Sequence, residues 1–170
     1  MRAEVEAVGR PDPRIVHVWA LKAILLPVIV WAVLLSVLGL YGLLVEPSVV
    51  AVAITWGPAV AIVAYAWAAL YRRFYRWHVR DEEIQVWRGI LFRRRTTIPY
   101  MRVQNVNVVR GPLLMLFGLS SIEIETAGQR GMYYGGVYRS EGYLPGLVDG
   151  EGTADVIIER VKGAKAREGL

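Results

Sequence analysis

The chain has 170 residues, of which 55% are hydrophobic, with a mean hydropathy of +0.36 and a formal net charge of +5. It contains no cysteine, which excludes disulfides, thiolate nucleophiles and cysteine-ligated metal sites. The long apolar runs lie in the first 70 positions, whereas residues 71–110 hold ten arginines against three acidic residues.

Two long uncharged runs predict a transmembrane helical hairpin over residues 21–70. The uncharged runs are Ala23–Leu44 and Val49–Leu70, and the spans predicted from them lie at about 21–44 and 49–70. At about 1.5 Å per residue, each run is long enough to cross a hydrocarbon core about 30 Å thick. The link Val45–Ser48 is so short that it can only turn the chain back. The two spans are therefore expected to be antiparallel, with an N-terminal segment at residues 1–20.

Basic residues flank the outer ends of this predicted hairpin. Arg72, Arg73 and Arg76 form a juxtamembrane basic group after the second run, while the link contains no base. The positive-inside rule then places both termini in the cytoplasm. The composition favours a prokaryote, so the expected location is the prokaryotic cell membrane, with two spans.

A stripe of small residues, Ala53, Gly57 and Ala61, recurs at four-residue spacing in the second run. Such a stripe lets another helix approach closely. Packing against the first run of the same chain is the favoured interpretation, and a self-association face is the alternative. Neither run carries an Asp, Glu, Lys or Arg that would mark an ion or proton path.

After residue 70 the apolar pattern changes to a period of two, which predicts antiparallel strands. The predicted strands cover Phe74–Val79, Ile84–Arg88, Arg93–Ile98, Gln104–Arg110 and Ser121–Thr126. The spacing of Pro112 and Gly118 predicts a short helix between the last two strands.

The end of the chain predicts one amphipathic helix. Residues 128–152 are rich in glycine, which indicates weak strands and loops. A helix is expected from Thr153, with an apolar face that covers a sheet. We expect the domain to span residues 71–162 and a flexible tail to follow at residues 163–170. The apolar face consists of Ala154, Ile157, Ile158 and Val161.

Three segments carry a resemblance to a known family: the run Ile98–Val106, the pair of motifs Gly111–Leu113 and Phe117–Leu119, and the run Ile122–Gly128. Together they resemble the bacterial pleckstrin-homology-like (PH-like) family, whose members typically join two transmembrane helices to such a domain. The resemblance implies a mainly-β PH-like roll, with two curved antiparallel sheets capped by a C-terminal helix. The predicted fold class is a transmembrane hairpin followed by this roll.

No catalytic, cofactor or metal constellation is visible in the sequence. His78 and Glu123 are candidate bases, but neither has a positioned acid–base partner in the pattern. The glycine-rich stretch 128–136 has neither a GxGxxG motif nor a Walker lysine. The positive-inside rule explains the arginines without a nucleic-acid partner. We therefore expect that the protein is not an enzyme and that it needs no cofactor.

The segment from residue 89 to residue 95 predicts a contact with lipid. Ile90, Leu91 and Phe92 are expected to dip into the interface, while Arg93, Arg94 and Arg95 hold anionic headgroups. The alternative is that these arginines merely flank a solvated hairpin. The first hairpin turn, 81–83, is acidic, unlike the basic turn of many phosphoinositide-binding PH domains, so specific inositol-lipid recognition is disfavoured.

The predicted function is that of a non-enzymatic integral membrane protein. It displays a cytoplasmic PH-like domain for protein assembly and for interaction with an anionic lipid surface. Its expected partners are membrane lipids and either a protein partner or a second copy of the chain. The alternative is an accessory subunit of a membrane enzyme or transporter complex.

Overall fold

The structure, a computed structural model, describes residues 7–40, 47–126, 142–167 and residue 169. The chain divides into two compact units. Residues 16–70 form the helical unit, and residues 1–15 together with residues 71–170 form the sheet unit. The sheet unit is thus built from segments on both sides of the helical unit in the sequence.

The helical unit contains most of two long helices, α1 (Ile15–Leu40) and α2 (Pro47–Phe74). Val16 and Ala20 of α1 are buried against Ala68 of α2, and Trp19 packs against this cluster. The small alanine side chains allow the two helices to approach closely. The rings of His17 and Tyr65 lie 5.6 Å apart and add a second contact between the helices.

The predicted transmembrane hairpin is wrong. Among the residues that the structure describes, no helix is both long enough and apolar enough to cross a membrane. The first predicted span extends past the end of α1 at Leu40 into residues that lie outside the described ones, and α1 itself begins at Ile15 and includes His17 and Lys22. The two-span topology and the cytoplasmic orientation derived from it lose their basis with the hairpin.

The described residues of the sheet unit form seven strands in two antiparallel sheets. The first sheet has the order β1 (Ala7–Gly9), β2 (Arg76–Val79), β3 (Glu83–Arg88), β4 (Arg94–Pro99). The second sheet has the order β5 (Val103–Val109), β6 (Ser120–Thr126), β7 (Gly142–Leu147). A 3₁₀ turn (Tyr100–Arg102) precedes β5, α3 (Pro112–Leu116) joins β5 to β6, and α4 (Gly150–Arg167) follows β7.

Alternating apolar residues of both sheets form the core of the sheet unit. Burial removes these side chains from water, which is the main force that holds such a small domain together. Helix α4 packs on β5, on β6 and on the 3₁₀ turn. The buried apolar residues are Trp77, Val79, Ile84, Val86, Ile98, Ile122, Ile124, Leu144, Ala154, Ile157 and Val161.

The predicted strands coincide with β2 to β6 within two residues, and α3 begins at Pro112 as expected. Helix α4 begins at Gly150 rather than at Thr153, because the Asp149 carboxylate caps it and accepts a hydrogen bond from the Gly152 N–H at 2.8 Å. The helix continues to Arg167. Of the glycine-rich stretch, residues 127–141 lie outside the described residues, and Gly142–Leu147 forms β7.

Strand β1 is the element that sequence patterns did not predict. It lies in the segment before α1 and pairs with β2, with Gly9 opposite Trp77. A side chain at Gly9 would overlap the Trp77 indole, because an added Cβ would lie 1.9 Å from Nε1. Glycine at this position therefore lets β1 close the edge of the first sheet.

Candidate functional site

The turn between β3 and β4 is tight and exposes two large apolar side chains. Gly89 has a φ of 106°, and a Cβ there would lie 2.0 Å from the Phe92 carbonyl oxygen, so the turn requires glycine. Ile90 is half-buried, while Leu91 and Phe92 are exposed. The backbone of the turn thus exposes the side chains of Leu91 and Phe92 to solvent.

The register of the first sheet brings basic and aromatic side chains together beside this turn. Arg76 of β2 lies opposite Trp87 of β3, and Trp87 lies opposite Arg95 of β4. Paired residues share one face of a sheet, so Trp87 stands between two arginines. Arg88 and Arg94 form the last pair before the turn.

These residues line an open groove of about 470 Å³, here called the arginine groove. Five guanidinium groups border it, from Arg76, Arg88, Arg93, Arg94 and Arg95. The remaining lining residues are Phe74, His78, Trp87 and Gly89.

Aromatic rings position two of the guanidinium groups. The Cζ of Arg93 lies 5.5 Å from the centroid of the Phe74 ring, and that of Arg95 lies 5.4 Å from the Trp87 ring. The His78 ring lies 4.6 Å from the Trp87 ring and supports it from the side. Stacking on an aromatic face orients an arginine and leaves its N–H donors available for other partners.

The positive charge of the groove has no counter-ion among the described residues. The ion pairs found among the described residues join Arg14 to Asp12, Arg110 to Glu151 and Arg160 to Asp81. None of them involves an arginine of the groove. The Nδ1 atom of His78 is buried without a hydrogen-bond partner in the described part of the chain. Several oriented donors without a carboxylate are the arrangement that binds an anion such as a phosphate.

The structure brings together part of the predicted site. Arg93, Arg94 and Arg95 line the groove with Arg76 of the predicted juxtamembrane group. Of the other two members of that group, Arg72 donates from Nε to the Pro11 carbonyl oxygen at 2.8 Å, and Arg73 is exposed at the end of α2.

Sequence reasoning did not assign four residues of the groove to the site: Phe74, His78, Trp87 and Arg88. The positions of His78, Trp87 and Arg88 follow from the register of β2, β3 and β4. The alternating pattern of β3 already placed Trp87 on one face, and the pairing with β4 would have assigned that face to Arg95.

The predicted helix-packing stripe falls on α2. The side chains of Ala53 and Gly57 lie outside the described part of the structure, and Ala61 is half-buried. The contact between α1 and α2 that is described uses Ala20 and Ala68 instead.

The acids of β6 lie on the second sheet, away from the groove residues. Burial, and secondly the charge of Glu125, raise the pKa of Glu123. The Glu125 carboxylate accepts hydrogen bonds from the amides of Asn105 and Asn107 at 3.1 and 3.2 Å. The pattern is that of a polar ladder across β5 and β6.

Comparisons with known proteins assign this chain to a family. The UPF0699 transmembrane protein YdbS of Bacillus subtilis (strain 168) is 36% identical over 55 residues, which are 32% of this chain and 35% of that protein. The match thus spans about a third of the length of this curated relative. No solved structure matches the chain. The family model described as "Bacterial PH domain" matches residues 14–151, so the chain belongs to the bacterial PH domain family.

Proposed function

We propose that this chain is a non-enzymatic, membrane-associated PH-like protein whose arginine groove binds anionic lipid headgroups. The observation that carries the proposal is the set of five guanidinium groups without a counter-ion among the described residues. Leu91 and Phe92 beside the groove would enter the interfacial region of the bilayer. The name of the relative from Bacillus subtilis, a transmembrane protein, supports a location at the membrane.

The chemistry of the groove favours this role over that of a solvated hairpin. Each base held near an anionic surface contributes about 1 kcal/mol to binding. Arg93 and Arg95 are held by aromatic rings rather than dispersed in solvent. An exposed leucine and phenylalanine next to fixed positive charges suit a surface that is apolar inside and anionic outside.

Binding of the full chain to vesicles tests the proposal. Vesicles of phosphatidylcholine alone are compared with vesicles that also contain phosphatidylglycerol, and the bound fraction is measured by co-sedimentation. The triple substitution of Arg93, Arg94 and Arg95 by alanine removes three bases from the groove. We expect it to weaken binding to the anionic vesicles by about 100-fold, because about 3 kcal/mol is lost.

A matched control removes the same charge elsewhere. Arg102, Lys162 and Arg167 are exposed and lie outside the groove. Their substitution by alanine also lowers the net charge by three, and we expect a much smaller loss of binding. If both triple variants lose affinity equally, net charge rather than the groove drives binding. If the groove variant binds like the unmodified chain, the groove is not the headgroup site.

We also propose a role in protein assembly, which the helical unit would carry. Large apolar side chains are exposed on both helices, and the stripe Ala53, Gly57 and Ala61 stays a predicted packing face. The exposed residues include Val28, Ile29 and Val33 of α1 and Ile62, Val63 and Trp67 of α2. The mass of the intact assembly in mild detergent tests this role. A stable homo-oligomer favours self-assembly, and a larger catalytic partner that co-purifies favours an accessory subunit.

A further inference from the structure

The most exposed large apolar side chains of the sheet unit fall in two places. Among its described residues, Phe92 (91% exposed) and Leu91 (79%) rank first and second, and both lie in the β3–β4 turn. Leu116 (74%), Met115 (64%) and Val148 (60%) follow, on α3 and just after β7. Singly exposed apolar residues are common on protein surfaces, but concentration in two places calls for an explanation.

A series of contacts connects the β3–β4 turn to the linker before α1. Arg93, next to Phe92, lies over the ring of Phe74 at the end of α2. Two residues before Phe74, Arg72 donates from Nε to the carbonyl oxygen of Pro11 at 2.8 Å. The linker before α1 is therefore held at the end of the first sheet that carries the turn.

The same linker reaches the end of the second sheet that carries the other exposed residues. The backbone N–H of Asp12 donates to the Gly146 carbonyl oxygen at 2.9 Å, two residues before Val148. Ser120, which follows α3, donates from its hydroxyl to the Leu147 carbonyl oxygen at 3.0 Å. The two exposed apolar places thus belong to one end of the sheet unit.

Helix α3 is anchored so that its two exposed side chains are presented rather than buried. Leu114 packs into the core, while Met115 and Leu116 face outward. Arg14, which is ion-paired with Asp12 at 2.9 Å, donates from Nη1 to the Phe117 carbonyl oxygen at 3.1 Å and so holds the C-terminal end of α3 in place. Exposed apolar side chains on an anchored element suit the interfacial region of a bilayer.

We propose that Met115, Leu116 and Val148 form a second apolar contact with the bilayer that the arginine groove binds. This inference rests on the proposed function, and the bilayer is the chosen partner because this patch lies at the same end of the sheet unit as the arginine groove, to which the contacts of Pro11 and Asp12 connect it. One contact would leave the sheet unit free to rotate about the β3–β4 turn. Two contacts fix its orientation on the lipid surface.

The absence of cysteine makes a site-specific test possible in the full chain. Phe92→Cys, Leu116→Cys and Val156→Cys are prepared separately and labelled with a polarity-sensitive dye. Val156 is also exposed, at 46%, but lies on α4 and serves as the control. Vesicles contain equal amounts of phosphatidylcholine and phosphatidylglycerol, with or without a nitroxide quencher on the acyl chains.

We expect the labels at positions 92 and 116 to shift to shorter wavelength and to be quenched, and the label at position 156 to do neither. A response at position 92 alone overturns the second contact while the proposed function stands. A response at position 156 as strong as at position 116 also overturns it, because the contact is then not localised. If neither position 92 nor position 116 responds and the vesicles are not bound, the proposed function fails too.

Affinity gives a second measurement. The double variant Met115→Ser and Leu116→Ser should bind these vesicles about tenfold more weakly, because two partly buried apolar side chains are lost. Val156→Ser is the control and should bind like the unmodified chain. Since all three residues are exposed in the sheet unit, their substitution should leave the unfolding transition in place. Unchanged binding of the double variant contradicts the inference.

Discussion

The first sheet carries an acidic turn at one end of β3 and a basic turn at the other, and the two differ in how their charge is balanced. At the acidic turn, Arg160 donates to the Arg80 carbonyl oxygen at 2.7 Å and to Asp81 Oδ1 at 3.4 Å. The amide of Gln85 donates to the Glu83 carboxylate. At the basic turn, Arg93 and Arg95 contact aromatic rings only in the described part of the chain.

This difference separates charge that holds the fold from charge that is available to a ligand. Asp81 and Glu83 have partners within the chain, so their removal should change stability more than binding. The arginines are oriented but not neutralised, so their removal should change binding more than stability. Substitutions at either turn can therefore test this distinction between structural and ligand-binding charge.

The largest effect is expected from Gly89→Val at the basic turn. Valine disfavours a φ of 106°, and its Cβ would clash with the Phe92 carbonyl oxygen, so the turn must rearrange. We expect a loss of about 3 kcal/mol in the free energy of unfolding, measured with urea, together with weaker vesicle binding.

Gly163→Ala is the matched control for this substitution. No atom lies within 4 Å of a Cβ placed at Gly163, which lies four residues before the end of α4. Alanine there should raise the free energy of unfolding by about 0.5–1 kcal/mol. An unchanged stability of Gly89→Val would mean that the turn is not held as the structure describes.

The next largest effects are expected from removing one arginine at each turn, which should lower stability at the acidic turn and vesicle binding at the basic turn. Arg160→Ala removes the donor to the Arg80 and Val79 carbonyl oxygens and should lower the free energy of unfolding by about 1–2 kcal/mol, with vesicle binding unchanged. Arg95→Ala should weaken vesicle binding about fivefold and change stability by less than about 1 kcal/mol. Equal effects of both variants on both measurements would erase the distinction between the two turns.

The pattern of side chains along the chain predicts much of the sheet unit because its signals are local. The alternation of Ile84, Val86 and Arg88 is visible within one strand, and the spacing of Pro112 and Gly118 marks α3. Strand β1 pairs with a strand more than 60 positions away, across the whole helical unit. No local pattern reports such a pairing, and a three-residue strand is too short to show a period.

The candidate site shows the same difference between residues that a local sequence pattern predicts and residues that only strand pairing brings together. The run Arg93–Arg95 is a local signal, and the sequence alone predicts it as a lipid contact. His78 and Trp87 enter the groove only through the register of three strands, and the cation–π contact of Arg95 depends on that register.

The smallest effect on the free energy of unfolding is expected at Glu123 of the second sheet, whose carboxylate is partly buried beside the negative charge of Glu125. Burial and the nearby Glu125 raise the pKa of Glu123 above its ordinary value of 4.5. Because the folded state holds this proton more tightly than the unfolded state, stability falls as pH rises from the ordinary pKa through the raised one. The resulting penalty persists at neutral pH.

Glu123→Gln removes this penalty and should raise the free energy of unfolding at neutral pH by less than about 1 kcal/mol, since the group is partly screened by solvent. Well below pH 4.5, where the carboxyl is protonated in both states, the variant and the unmodified chain should unfold alike. Urea unfolding at the two pH values measures the difference, with Glu159→Gln on α4 as an exposed control. A variant that is less stable at neutral pH would show that the Glu123 carboxylate is balanced by its neighbours, as the acids of the first sheet are.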